Sequence, residues 1–362
     1  MSNESPLMLG IETSCDDTAC AVVDATGRIL ASVVSSQLAK HRPYGGVVPE
    51  IASREHLNNW PEVSREALEA AGITLQNIDA VAATRGPGLV GSLLVGMSLG
   101  RAIAWGLDVP FYGVHHLEGH LYSPFLQGEG QQAMQVPERF EGLVVSGGHT
   151  SLLEVRGGEV RSLVETRDDA MGETFDKVGK RLGLAYPQGP LVDKLAESGD
   201  PASVPFSLPR VKDELFFSFS GLKTQALRAI EGLERETDLK VAEIRAGGEV
   251  PAAARDLLAS FRRAAVDQIL DRLEQRHARQ PFRDLAVSGG VAANRLLRRE
   301  LTAWADRRDV GLHLVPLVYS GDNAAMIAFA AAERLRRGDL DEGHSEGHGD
   351  RIASRIPFPS AS

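Results

Sequence analysis

The sequence predicts an α/β protein built from two similar halves, on three observations. Short apolar runs that read as strands alternate with longer runs of helical periodicity along most of the chain. Many of the 37 glycines fall between those runs, where strand-to-helix loops belong. The same succession of units then occurs twice. With 362 residues, 43% of them hydrophobic and 24% charged, the chain is long enough for two domains and a large core.

The first half opens with strands at 7–11 and 19–23 around the polar turn Thr13-Ser14-Cys15-Asp16-Asp17-Thr18. Two acids among small hydroxyl and thiol residues can hold a phosphate-bound metal or a nucleophilic water; a solvated hairpin tip accounts for them equally well. Residues 28–34 continue the sheet and 50–71 read as a helix. A strand at 78–83 ends in Gly86-Pro87-Gly88, and a helix follows at 89–106. This Gly-rich apolar run, broken by Arg101, is expected to be a buried helix and not a membrane span. A strand at 109–114 then delivers Val114-His115-His116-Leu117-Glu118-Gly119-His120.

After a Gly/Gln-rich segment at 127–135 the pattern restarts. Strands at 141–146 and 151–155 flank Gly147-Gly148-His149-Thr150. A helix at 168–182 is stopped by Tyr186-Pro187-Gln188-Gly189-Pro190, and a second begins at Leu191. Helical patterning resumes at 252–276. A strand at 285–288, the pair Gly289-Gly290 and a helix at 292–305 follow, then a strand at 312–317, the loop Gly321-Asp322-Asn323 and a helix at 324–336. Each half thus has a hairpin around a polar or Gly turn, a strand–Gly-loop–helix unit, and a Pro-containing strand feeding a loop and helix.

The last of these units carries the first half's histidines. His116 and His120 are four apart, so on a helix both imidazoles share one face and can bind one metal ion. If the halves are duplicated and face one another, Asp322, in the matching unit, is the natural third ligand. Two imidazoles and a carboxylate suit Fe(II) or catalytic Zn. A His-Glu-x-x-His protease is a poor fit, because Glu118 lies two residues from each histidine, about 200° round the helix.

No Walker-type phosphate loop occurs. The pairs Gly147-Gly148 and Gly289-Gly290 each follow a short strand, which lets backbone N–H groups approach a phosphate. After the second pair the helix N-terminus adds a favourable dipole, and Asn294 in its first turn can reach a ribose or base. Asp176 and Asp193 bracket the Tyr186–Pro190 turn; each can accept ribose hydroxyls or be a solvated helix residue. A net charge of −10 excludes a generally basic surface, so RNA contact needs a local patch, for which Arg210, Lys212, Lys223 and Arg228 are available. Cys15 and Cys20 form no disulfide framework. No signal peptide is recognisable in the opening residues, and a cytoplasmic protein with no membrane segment is expected.

Several of these stretches together resemble one family. Leu9 to Asp16, Tyr44-Gly45-Gly46-Val47-Val48-Pro49-Glu50, Gly86 to Leu89, His115 to His120, Val145 to Thr150, Phe175-Asp176-Lys177, Phe217 to Lys223 and Ser288 to Arg295 are similar to the bacterial tRNA N6-adenosine threonylcarbamoyltransferases, the TsaD family once described as O-sialoglycoprotein endopeptidases. The resemblance runs in order from Leu7 to Arg336. It implies an actin-like ATPase fold of the sugar kinase, Hsp70 and actin type, with two duplicated α/β domains around a ligand cleft. They are expected at 7–125, with helix 323–337 packing back on it, and at 140–322. Residues 338–362 are expected to be a disordered tail, acidic and Gly/His-rich to Asp350.

The resemblance further implies one divalent metal, most often iron, at His116, His120 and Asp322. It implies substrate contacts at Val144, Val145, Ser146, Gly147, Gly148, Asp176, Gly189, Asp193 and Asn294. The reaction implied passes a threonylcarbamoyl group from threonylcarbamoyl-adenylate to N6 of adenosine 37 in tRNAs reading codons that begin with A, releasing AMP. Asp16 is the residue expected to accept or orient the amine proton. Implied partners are tRNA, a paralogous pseudo-enzyme (TsaB-like) and a small ATPase (TsaE-like). Three positions depart from the family pattern. Asp17 stands where Glu is usual, Gln188 where Gly is common, which would tighten a sugar pocket, and Gly321 where Thr is common. A stand-alone ATPase or kinase of the same fold, a metalloprotease and a non-enzymatic nucleotide-binding scaffold are the competing readings.

Overall fold

A computed structural model describes residues 5–128, 134–209, 214–237, 239–339 and 352–360. The chain divides into two compact units. The first comprises Met1–Glu138, Val155–Val160 and Val315–Pro359; the second comprises Arg139–Glu154, Arg161–Leu314 and Ser360–Ser362.

The first unit starts with β1 (Leu7–Glu12), β2 (Asp17–Asp24) and β3 (Ile29–Ser36), then α1 (Leu38–His41) and α2 (Pro49–Ala71). It continues through β4 (Ala80–Gly86), α3 (Val90–Leu107), β5 (Phe111–His115) and α4 (His116–Tyr122). The strand order is β3-β2-β1-β4-β5, antiparallel between β1, β2 and β3 and parallel from β1 to β4 to β5. β1 is central and buried on both faces, which is why Met8-Leu9-Gly10-Ile11 reads as a continuous apolar run.

The second unit contains β6 (Arg139–Val145), β7 (Thr150–Arg156), β8 (Glu159–Glu165), α5 (Met171–Arg181), α6 (Gln188–Ala196) and α7 (Ser220–Glu236). It also contains α8 (Val241–Arg245), α9 (Ala252–Arg279), β9 (Asp284–Ser288), α10 (Arg295–Arg308) and β10 (Gly311–Leu314). Its strand order, β10-β9-β6-β7-β8, repeats that of the first sheet strand for strand. The duplication expected from sequence is therefore present in the topology of the α/β sheets.

α11 (Ala324–Arg337) belongs to the first unit and packs on β1, β2 and α4. Its alanines permit a close approach: a Cβ on Gly10 would lie 2.2 Å from the Ala324 carbonyl and 2.9 Å from the Ala328 Cβ. The approach places the residues just before α11, Asp322 among them, over the ends of β1 and α4.

Several elements differ from expectation. α3 is not a buried helix: Leu93, Met97, Gly100 and Ala104 face the sheet, while Val90, Leu94 and Trp105 are exposed, Trp105 at 89%. It is apolar on both sides, so hydropathy alone could not say which side is covered. α3 is also the one helix among the described residues long and apolar enough to cross a membrane by length and composition, and it packs on β4 and α2. α6 begins at Gln188 and not at Leu191. Gly289-Gly290 leads into a 3₁₀ turn, Gly290–Ala293, and α10 starts only at Arg295. The end of the chain does not follow the expected disorder throughout. Residues 352–359 lie on the first unit, where Ile352 packs on the core, Ile356 O accepts from His115 Nε2 at 2.8 Å, and Phe358 stacks on the His115 ring. Ile352, Ile356 and Phe358 supply the apolar surface for this packing, and the expectation of disorder at 340–351 lies outside the described residues.

Candidate metal centre and nucleotide cavity

The candidate metal centre lies inside the first unit. α4 follows β5 directly, and its first turn is capped by His115, whose Nδ1 accepts from Leu117 N at 3.2 Å. The cap starts the helix at His116, so His116 and His120 fall on one face with ring centroids 4.8 Å apart. Asp322 Oδ1 lies 3.2 Å from His120 Nε2 and 3.5 Å from His116 Nε2. One donor atom from each of the three residues lies within 4.8 Å of the others. Asp322 arrives with the return of α11 onto the first sheet, not from a facing domain.

The buried donor set fits a divalent cation. His120 Nδ1 is a buried polar atom without a hydrogen-bond partner among the described residues. His116 Nδ1 faces the Glu12 carboxylate at 3.2 Å, and Glu12 also accepts from the Thr84 hydroxyl at 2.6 Å and from Ser14 N. A carboxylate on Nδ1 fixes a proton there and aims Nε2 at Asp322, where it can ligate a cation once its own proton is displaced. Burial lowers the basicity of His116, but Asp322 and Glu12 outweigh it and push the imidazole up to about 9 when no metal is bound. Burial holds His120 below its ordinary value.

Asp16 is half-buried on the same turn as Ser14, whose hydroxyl lies 3.4 Å from His116 Nδ1. The turn is braced from α2 by His56, which bonds the Cys15 carbonyl at 3.1 Å and the Thr18 hydroxyl at 2.8 Å. Glu118 points away from the metal ligands and pairs with Arg334 of α11 at 2.5 Å. That ion pair removes the base a zinc protease would need.

The second unit contains a cavity of about 430 Å³, within the range of small-molecule sites. Of the residues expected to touch substrate, Gly147, Asp176, Gly189, Asp193 and Asn294 line it. Val144, Val145, Ser146 and Gly148 do not: Val144 and Val145 are fully buried in β6. Gly147 and Gly290 have open space where a Cβ would stand, so their peptides face the cavity bare. Gly289 has φ +91°, and a Cβ there would strike the Val145 carbonyl at 2.3 Å. The Gly pair thus serves strand packing at its first residue and the cavity at its second.

Asp176 Oδ1 accepts from Gly189 N at 2.7 Å and so caps α6; burial raises its carboxyl. Gln188 packs on Gly179 of α5 and is not part of the cavity lining, so it does not narrow a sugar pocket. Of the basic residues considered for RNA, Arg210 and Lys212 lie outside the described residues, Lys223 is paired with Asp169, and Arg228 is exposed.

Sequence reasoning missed Glu12, Thr84, His56, Arg262 and Arg334. Each acts on a residue far away in the chain, and none carries a local spacing signal.

The TsaD family, tRNA N6-adenosine threonylcarbamoyltransferase, matches residues 28–329. A protein of that description from Symbiobacterium thermophilum is 47% identical over 341 residues, covering 92% of this chain and 94% of its own. One from Sorangium cellulosum is 43% identical, covering 92% and 93%. Among solved structures, HypF of T. kodakarensis is similar with a TM-score of 0.59 at 17% identity, over 92% of this chain and 48% of that one. That likeness concerns the fold, which is of the actin-like ATPase type. Nothing in these comparisons favours a stand-alone kinase. The chain belongs to the TsaD family of tRNA N6-adenosine threonylcarbamoyltransferases.

Proposed function

We propose that the donor is threonylcarbamoyl-adenylate and that its adenylate occupies the cavity of the second unit. The observation that carries this is the lining itself, with bare Gly147 and Gly290 peptides beside the Asp176 and Asp193 carboxylates. Backbone N–H groups suit a phosphate, and a carboxylate suits sugar hydroxyls. Val144 and Val145 at the end of β6, with Ser146 and Gly148 on either side of Gly147, serve indirectly by holding the Gly147 peptide in place, the Ser146 N–H being bonded to His149 O at 2.8 Å.

His116, His120 and Asp322 hold the metal in this reading, Fe(II) in preference and Zn with the same donors. A bound cation supplies Lewis acidity and a template for the acyl group. The chain's own residues do the rest. Glu12 keeps His116 in the tautomer that offers Nε2, and Asp16 accepts the proton leaving N6 of adenosine 37 as the carbamoyl carbon is attacked, with AMP released. The acceptor is tRNA reading codons that begin with A, in the cytoplasm.

The paralogous pseudo-enzyme covers the α2–α3 face, where Leu57, Val90, Leu94 and Trp105 are exposed, and a small ATPase completes the assembly. Leu94→Glu should then abolish co-purification of the paralogue and leave the metal content unchanged.

Transfer of label from threonylcarbamoyl-adenylate onto unmodified tRNA, with partner subunits added, tests the reading. Label that disappears in His116→Ala and Asp16→Asn supports it. Absence of label with the wild-type chain would overturn the donor assignment, and full activity of Asp16→Asn would remove the proton acceptor.

A further inference from the structure

Arg262 lies on α9, is only 6% exposed, and reaches across to α6. Its Nη1 donates to Asp193 Oδ1 at 2.9 Å and to the Asp193 carbonyl at 3.0 Å, and also bonds Glu197; its Nη2 donates to the Ala196 carbonyl at 3.2 Å. One planar guanidinium thus holds the Asp193 side chain and the backbone that carries it. Asn294 completes the clamp. Its Oδ1 accepts from Leu297 N at 2.9 Å, capping α10, and its Nδ2 donates to Asp193 Oδ1 at 2.7 Å.

Asp193 Oδ1 is therefore taken by two side-chain donors, whereas Oδ2 meets only the Arg295 N–H at 3.3 Å among the described residues. A carboxylate can accept about four hydrogen bonds, so the capacity left is on Oδ2. Lys194 and Arg295 line the same cavity, so what singles out Oδ2 is its remaining acceptor capacity, which suits a neutral hydroxyl donor.

We infer that Arg262 is a positioning residue that aims Asp193 Oδ2 at a sugar hydroxyl, so that the preference for a ribonucleotide over its deoxy analogues depends on it. The inference rests on the reading of this cavity as a nucleotide site. Without the guanidinium, Asp193 keeps only Asn294 Nδ2 and the Arg295 N–H, its rotamer is less constrained, and the hydroxyl's acceptor is no longer held in place.

Calorimetric binding of AMP, 2′-deoxy-AMP and 3′-deoxy-AMP to the full chain, as wild type, Arg262→Lys and Arg262→Met, tests this. Wild type should prefer AMP over at least one deoxy analogue by roughly 10- to 100-fold, the range for a hydrogen bond to a charged acceptor. Arg262→Met should bring that ratio close to one while affinity for the same analogue stays within about threefold of wild type. Arg262→Lys keeps the charge without the fork and should give an intermediate ratio; it serves alone if Arg262→Met does not fold. An equal loss for all three ligands, or a ratio unchanged in both variants, would overturn the positioning role. So would a wild type that binds all three alike. A wild type that binds no AMP would instead overturn the nucleotide reading of the cavity, and this inference with it.

Discussion

Glu12 Oε2 lies 3.2 Å from His116 Nδ1, although the two residues are 104 positions apart. The Thr84 hydroxyl, at 2.6 Å from the same oxygen, holds the carboxylate in place. The end of β1 and the start of α4 are thereby joined through a ring whose other nitrogen faces Asp322 in the candidate metal site. Glu12→Gln should lower divalent-metal affinity by about 10- to 100-fold, the usual effect of losing such an outer partner. Titration of Fe(II) or Zn under anaerobic conditions, read by calorimetry, checks it, and unchanged affinity would show that Glu12 does not orient the ring.

Metal uptake should release a proton. His116 stands at about 9 when metal-free, so a cation must displace that proton across the neutral range. Apparent affinity should rise about tenfold per pH unit between roughly pH 6 and 8. Calorimetry in buffers of different ionisation enthalpy counts the protons, and a count of zero would contradict the charged state assigned to His116.

Asp17 carries a different pH signature. Burial is the main cause that pushes its carboxyl up to about 6, helped by Asp16 and Asp322, and its Oδ1 has no hydrogen-bond partner among the described residues. The native state therefore holds a proton that the unfolded chain releases near pH 4. Stability from this group is present below pH 4 and is lost as pH rises through 6. Asp17→Asn should stabilise the metal-free protein at pH 8 by about 2 kcal/mol, a value discounted for partial exposure, and should leave it unchanged at pH 4. Thermal unfolding at both pH values gives the comparison; a gain at pH 4 equal to that at pH 8 would refute the assignment.

Gly10 couples the core to the metal centre. Any Cβ there meets the Ala324 backbone, so Gly10→Val must push α11 off β1 and carry Asp322 with it. The expected cost is about 1–3 kcal/mol of overpacking, more if the helix cannot shift. Metal affinity should fall together with Tm. A variant of lowered Tm that keeps wild-type metal affinity would show that Asp322 is not positioned by this contact.

What the sequence determined by itself was local or periodic. The i,i+4 spacing of His116 and His120 defines their common face, because helix geometry alone brings such residues together. The repeated order of strand, Gly loop and helix foretold two α/β sheets of the same topology. Several local signals also pointed at the cavity: Gly147 and Gly290 where peptides must be bare, and Asp176 and Asp193 on either side of one turn. The tertiary structure decided which chemistry those residues can perform. Glu12 reaches His116, Arg262 reaches Asp193, and Arg334 neutralises Glu118 only because packed elements carry them across 104, 69 and 216 positions of chain. It also decided that one face of the apolar helix α3 is exposed in this chain and that Ile356 and Phe358 return to His115. Periodicity reports the shape of a single element, whereas a partner's position depends on how separate elements pack, and no spacing in the chain encodes that distance.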